Sequence, residues 1–230
     1  MATTIEKPPH CDIAIEQPKS GYRYNQDPFI LTRFIIEHRE LWRTQFPGEC
    51  LDLGTGVGII PMLMARDFPT TRFTGIEIQS ELAALAIANI KRNRLNEQIE
   101  IISADYRDLS ENNDFKNRFK VVVCNPPYYP ADDGRLNLCP QKRRARHELS
   151  GNLESLTLAA ARFLAPKGIF ILIFPAERLI ELITCLRSVK LEPKRLQFIH
   201  PHNSDRAGMF ILAAGKDGAP GIIIENPQMI

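Results

Sequence analysis

Arg195-Leu196-Gln197-Phe198-Ile199 and Met209-Phe210-Ile211-Leu212-Ala213-Ala214 are apolar, strand-like runs separated only by residues 200–208. That gap is rich in turn formers: Pro201, Asn203, Ser204, Asp205 and Gly208. A right-handed crossover between parallel strands takes roughly a dozen or more residues, usually a helix. These two strands must therefore pair antiparallel. Upstream, strand-like runs at Cys50–Leu53, Arg72–Ile76, Ile99–Ser103, Val121–Cys124 and Ile169–Phe174 alternate with longer segments, several of helical spacing, the pattern of parallel strands with crossover helices. The expectation is an α/β fold: a seven-stranded, mostly parallel sheet with an antiparallel last strand and helices on both faces. The six-parallel-strand dinucleotide fold ends differently.

The intervening helices carry their own signals. Asp27-Pro28 reads as a helix start with a capping acid and a proline in the first turn, and Ile30, Leu31, Phe34 and Ile35 form its apolar stripe. Ser80 is expected to cap a second helix that shows Leu82, Leu85, Ala86 and Ile90 on one face and Lys91-Arg92 at its end. A helix is expected from Ile59 to Phe68, another from Asn152 to Phe163 and a third from Ala176 to Ser188. Residues 1–20 read as a loosely structured lead-in to a single domain spanning 21–230.

The chemistry collects at strand ends. Glu49 to Leu53 runs into Gly54-Thr55-Gly56-Val57-Gly58, a Gly-x-Gly-x-Gly turn preceded by Asp52, not the dinucleotide fingerprint Gly-x-Gly-x-x-Gly. Glycines there permit positive φ and bring a ligand close to backbone N–H groups at a helix start. Glu77, at the tip of the second strand, is placed to accept both hydroxyls of a ribose. After the third strand, Asp105 can accept from an adenine amine while the Tyr106 ring packs on it. Either acid alone is more often a helix cap or a solvated loop residue.

The fourth strand, Val121 to Cys124, runs into Asn125-Pro126-Pro127-Tyr128. A planar amine, in adenine or a glutamine side chain, is a poor nucleophile because its lone pair is delocalised. The Asn125 side-chain oxygen and the Pro126 carbonyl can each accept one of its hydrogens, and Tyr128 offers a face for stacking. Asn125 precedes a proline and is biased to extended geometry, which stiffens the motif.

Composition narrows the class. With 230 residues, 44% hydrophobic, the chain can bury one good core. A net charge of +2 is only mildly basic, but the five Arg/Lys residues between Arg135 and His147 face no acid within that stretch. Five scattered cysteines without a Cys-x-x-Cys fit free thiols in a reducing cytoplasm. No apolar signal region opens the chain, and its longest apolar run is far too short to cross a bilayer, so a soluble protein without membrane association is expected. His200-x-His202 has no acid or cysteine at ligand spacing, so no metal is expected. The oligomeric state is left open.

On these motifs the chain resembles the class I S-adenosylmethionine-dependent methyltransferases of the Asn-Pro-Pro-Tyr group, which methylate amino nitrogens. More narrowly, it is similar to the bacterial enzymes that form N6-methyladenine at position 37 of a valine tRNA. The narrower signals are Gly21-Tyr22-Arg23-Tyr24-Asn25-Gln26-Asp27 and Ala145-Arg146-His147-Glu148. The resemblance implies that Asp52, Gly54, Gly56 and Gly58 shape the pocket for the methionine half of the cofactor. Glu77 would hold its ribose, and Asp105 with Tyr106 its adenine. Asn125, Pro126, Pro127 and Tyr128 would grip the target base, with Asn125 also beside the cofactor, while Tyr24 to Asp27 would close over it. The chain departs from the family pattern at Asn25-Gln26 and Pro28. Lys142, Arg143, Arg144, Arg146 and His147 would meet RNA phosphates, giving an affinity that falls with salt.

Three alternatives stay open. Glutamine N5 methylation of a protein uses the same four residues, but those enzymes typically carry a sizeable helical domain ahead of the glycine turn. Amino methylation in ribosomal RNA is another, and a catalytically silent subunit binding RNA or a partner is the third. Intact Asn125, Gly54, Gly56 and Glu77 speak against the last.

Overall fold

The computed structural model describes residues 2–8, 11–20, 23–46, 48–126 and 153–230. Eleven strands and six α-helices alternate along them. Strands β1 (Thr3–Glu6) and β2 (Ile15–Pro18) pair antiparallel as a separate ribbon. Next come α1 (Asp27–Glu37), β3 (Glu49–Leu53), α2 (Ile59–Ala65), β4 (Arg72–Glu77), α3 (Ser80–Arg92) and β5 (Ile99–Ser103). The chain continues through α4 (Tyr106–Ser110), β6 (Phe119–Cys124), α5 (Leu153–Phe163), β7 (Leu164–Pro175) and α6 (Leu179–Ser188). It ends in β8 (Leu191–His200), β9 (Met209–Lys216) and two short edge segments, β10 (Ile223–Ile224) and β11 (Gln228–Met229).

The seven long strands lie in the order β8-β9-β7-β6-β3-β4-β5, with β10 and β11 both parallel to β8 at the edge. Strands β3 to β7 are mutually parallel, and β9 runs antiparallel to both β7 and β8. The short 201–208 connection thus inserts the last long strand reversed between its neighbours, as its length requires.

Side chains alternate across the sheet with the two-residue period of a strand. Val121, Val123, Ile171, Ile173, Ile211 and Ala213 face one core, shared with α1, α2 and α3. Val122, Cys124, Phe170, Leu172, Phe210 and Leu212 face the other, shared with α4, α5 and α6. Central strands buried on both faces read as continuous apolar runs, which is why Val121–Cys124 carries no polar residue.

Several local expectations are corrected. Residues 3–6 and 15–18 form the ordered β1–β2 ribbon, not a loose lead-in. Gln26, not Asp27, is the N-cap of α1, and no side chain caps it; Pro28 does sit in the first turn. The cap residue of α3 is Gln79, with Ser80 the first helical residue. Helix α2 stops at Ala65 rather than Phe68, and β7 starts at Leu164 rather than Ile169. The Pro166-Lys167-Gly168 stretch interrupts but does not end β7: Lys167 takes φ 61° and the pairing register with β6 shifts there.

Candidate active site

The parallel register sets the C-terminal ends of β6, β3, β4 and β5 side by side. Leu53 pairs with Ile76 on one side and with Cys124 on the other, and Glu77 pairs with Ser103. Gly54, Glu77, Asp105 and Asn125 therefore emerge at one edge of the sheet. Strand β3 lies where the winding reverses, the position at which open α/β sheets form a crevice beyond their strand ends.

The turn after β3 is held by backbone bonds to β4. The N–H groups of Gly54 and Thr55 both donate to the Ile76 carbonyl, at 2.9 and 3.0 Å, and Gly58 N–H donates to the Thr55 carbonyl at 2.9 Å. Gly58 has φ 83°, and a Cβ there would lie 3.3 Å from the Ala86 Cβ of α3. Gly75, inside β4, matters for a different reason. A Cβ on it would come within 2.7 Å of Ile101 Cδ1 and 2.8 Å of Thr55 Cγ2, so only glycine lets the turn cross the strand so closely.

Glu77 is 5% exposed. Its Oε2 accepts from Gly56 N–H at 2.9 Å and its Oε1 from Gln79 N–H at 2.9 Å. The carboxylate thus fixes both the glycine turn and the start of α3. Carboxylate oxygens accept more than one hydrogen bond, so the same two atoms remain suited to a pair of hydroxyls.

Asp52 is 2% exposed, and among the described residues neither carboxylate oxygen has a hydrogen-bond partner. Burial pushes its carboxyl up to about 7; the Thr55 hydroxyl draws it down a little, and the Glu77 charge pushes the same way as burial. Thr55 Oγ1 lies outside hydrogen-bonding geometry and is itself without a partner, so its help is weak. The neighbouring thiols of Cys50 and Cys124 are held well above their ordinary range by burial and by Asp52. Cys124 donates to the Leu53 carbonyl at 3.1 Å and packs as a core residue.

Asp105 is the N-cap of α4: its Oδ1 accepts from Arg107 N–H at 2.8 Å, and the two side chains form an ion pair. Burial alone would raise its carboxyl, but the Arg107 contacts outweigh that and hold it below the usual range. Tyr106 is 6% exposed and packed among the apolar residues of the second core, with its phenol raised chiefly by burial. Nearly all of the residue is covered by that core. Asp27 is buried at the start of α1, where the Asn25 Oδ1 accepts from its N–H at 3.0 Å.

Asn125 is half-buried and Pro126 buried, directly after β6 and level with Gly54. Pro127, Tyr128 and the basic residues Lys142, Arg143, Arg144, Arg146 and His147 lie outside the described residues. Among the described residues no cluster of three or more His, Cys, Asp or Glu could hold a metal ion, and no helix is long and apolar enough to cross a membrane.

Residues 31–178 match the model of the methyltransferase small domain. The chain belongs to that family. Among curated proteins this methyltransferase is similar to the tRNA1(Val) (adenine(37)-N6)-methyltransferase of Porphyromonas gingivalis strain W83. The two are 35% identical over 165 residues, which cover 70% of this chain and 63% of the relative. The methyltransferase thus spans under two thirds of that relative's length. Among solved structures it resembles Atu636 of Agrobacterium tumefaciens, described as a predicted O-methyltransferase, with TM-score 0.68 and 20% identity over 88% of this chain and 86% of that one. It also resembles M. jannaschii TYW2 solved in complex with AdoMet, with TM-score 0.59 and 15% identity over 93% and 84% of the two chains. At these identities the two structures establish the fold of the methyltransferase.

Two contributors escaped the sequence reading. Gly75 looked like an ordinary strand residue. Asn89, on α3, is a poor helix former whose placement on an apolar helix was the available signal, and its side chain reaches the Val57 carbonyl in the glycine turn.

Proposed function

We propose that this methyltransferase uses S-adenosylmethionine to methylate N6 of an adenine in tRNA, with position 37 of a valine tRNA the leading candidate. The observation that carries the reading is Asn125-Pro126 at the end of β6, level with Gly54 on the adjacent strand. That arrangement sets two neutral acceptors beside the turn that follows Asp52.

The residues fit the cofactor. The buried carboxylate of Asp52, lacking a protein partner, suits the ammonium of an amino-acid moiety. Glu77, fixed by two backbone N–H groups, suits ribose hydroxyls. Gly54, Gly56 and Gly58 allow close approach, and Asp105 is assigned to the adenine amine. When bound, the cofactor supplies an electrophilic methyl on a sulfonium. The protein's task is to orient the amine: the Asn125 side-chain oxygen and the Pro126 carbonyl accept its two hydrogens, and the proton passes to water. Orientation of this kind lowers the barrier by several kcal/mol, and no general base is needed.

Tyr128 is assigned to stacking on the base, Pro127 to stiffening the grip, and Asp27 to closing the cofactor side. Lys142, Arg143, Arg144, Arg146 and His147 are assigned to RNA phosphates. A base in a tRNA loop must leave its stack to enter such a site, at roughly a few kcal/mol. The cytoplasm, where tRNA is processed, is the compartment this implies. Nucleoside mass spectrometry of tRNA from cells with and without the gene tests the proposal. Loss of one N6-methyladenosine is expected; unchanged tRNA nucleosides would refute it, and loss of a methylated glutamine in peptide mass spectrometry of the same cells would move the reading to a protein substrate.

A further inference from the structure

Asn89 is 0% exposed, in the third turn of α3. Its Nδ2 donates to the Val57 carbonyl at 3.1 Å, inside the glycine turn, and to the Glu16 carbonyl at 2.9 Å, on β2. Its Oδ1 accepts from Glu16 N–H at 2.7 Å and from Arg92 Nη1 at 3.0 Å. One carboxamide therefore uses both donors and its acceptor oxygen to join three segments far apart in sequence.

Asn93, one helical turn on, makes the matching pair with Ala14: its Oδ1 accepts from Ala14 N–H at 2.9 Å and its Nδ2 donates to the Ala14 carbonyl at 2.8 Å. Four helical residues rise about 6 Å and two strand residues about 6.6 Å, so an i,i+4 asparagine pair reads alternate residues of an extended chain. The ribbon is thus bonded to α3 as an extra strand would be to a sheet. The difference between the two asparagines is what they touch besides the ribbon. Asn89 reaches the glycine turn through Val57, whereas Asn93 reaches only the Asn89 carbonyl and, at 3.6 Å, the Met62 sulfur.

We infer that Asn89 is a positioning residue for cofactor binding: oriented by the backbone of β2, it holds the Val57 carbonyl and so fixes the glycine turn on which Gly56 and Glu77 meet. Through this side chain the ribbon acts on the glycine turn without touching the reacting atoms. The inference deepens the proposed function and rests on it for the identity of the ligand, but the link between ribbon and turn does not.

Hydrogen exchange and calorimetry on the full-length protein separate the two. In Asn89→Ala, amides of the turn (Gly54, Thr55, Gly56, Gly58) and of residues 14–17 should exchange faster, and the Kd for S-adenosylmethionine should rise about tenfold. The loss should fall on KM for the cofactor more than on kcat. Asn93→Ala should speed exchange around Ala14 and leave the cofactor Kd within about twofold. Asn89→Asp keeps the shape and the acceptors but loses the donors to Val57 and Glu16; it should loosen the same turn amides and raise the Kd, and serves where the alanine variant folds poorly. Unchanged turn exchange in both Asn89 variants would overturn the inference, as would an equal rise in Kd in Asn93→Ala. If the wild type binds no S-adenosylmethionine while the turn still loosens in the Asn89 variants, the cofactor assignment fails and the positioning link stands.

Discussion

Replacing Asp52 by Asn should stabilise the protein at pH 8 and do so much less at pH 5. The carboxyl ordinarily titrates at 3.8 but is pushed up to about 7 in the fold, because it is buried with no protein partner. A folded-state value above the unfolded one means that the unfolded chain releases this proton first. The associated stability is complete below about pH 4, is lost as pH rises, and is gone above about pH 7. Between pH 5 and 7 the folded carboxyl stays protonated over two pH units, each worth about 1.4 kcal/mol, so wild type loses about 3 kcal/mol that the amide cannot lose. For a chain of this size that is roughly 6–12 °C in Tm. Thermal unfolding of both proteins at pH 5 and pH 8 measures the change in their gap. A gap that is the same at both pH values would refute the reasoning, since it would mean that Asp52 keeps an ordinary carboxyl. The variant should also bind S-adenosylmethionine more weakly, because the amide carries no charge to meet an ammonium.

Asn125→Ala should lower kcat at least about a hundredfold while leaving cofactor affinity within about tenfold, as measured by single-turnover assay and calorimetry; equal activity would exclude the acceptor role. Gly58→Ala should cost about 1–2 kcal/mol in urea unfolding, because φ 83° and a contact of 3.3 Å to Ala86 both oppose a Cβ. An unchanged midpoint would mean that the turn relaxes freely. Lys216 donates to the carbonyls of Ala161 and Leu164, at 2.7 and 2.6 Å, at the end of α5. Lys216→Met should therefore lose about 1–2 kcal/mol of stability, read from the same unfolding midpoint.

Much of the site was legible because it is local. A glycine turn after a buried strand, an acid at the next strand tip and Asn125-Pro126 after a third are each carried by a few adjacent residues. Parallel pairing then brings such strand ends together without further information. Contacts made by the neighbouring side chains were not legible: Arg107 pairs with Asp105 at the start of α4, and the Tyr106 ring joins the second core.

By itself the sequence determined the alternation of strands and helices, the reversed last long strand and the edge at which the chemistry collects. Those follow from residue periodicity and from how far a short connection can reach. Only the tertiary structure decided that Asp52 would be buried without a partner among the described residues, that Gly75 must make room for Thr55, and that residues 3–6 and 15–18 would pair as a ribbon. Asn89 meets Glu16 across 73 positions and Asn93 meets Ala14 across 79. Bonds spanning such distances leave no periodic trace, because their geometry exists only once the sheet has set α3 beside the ribbon.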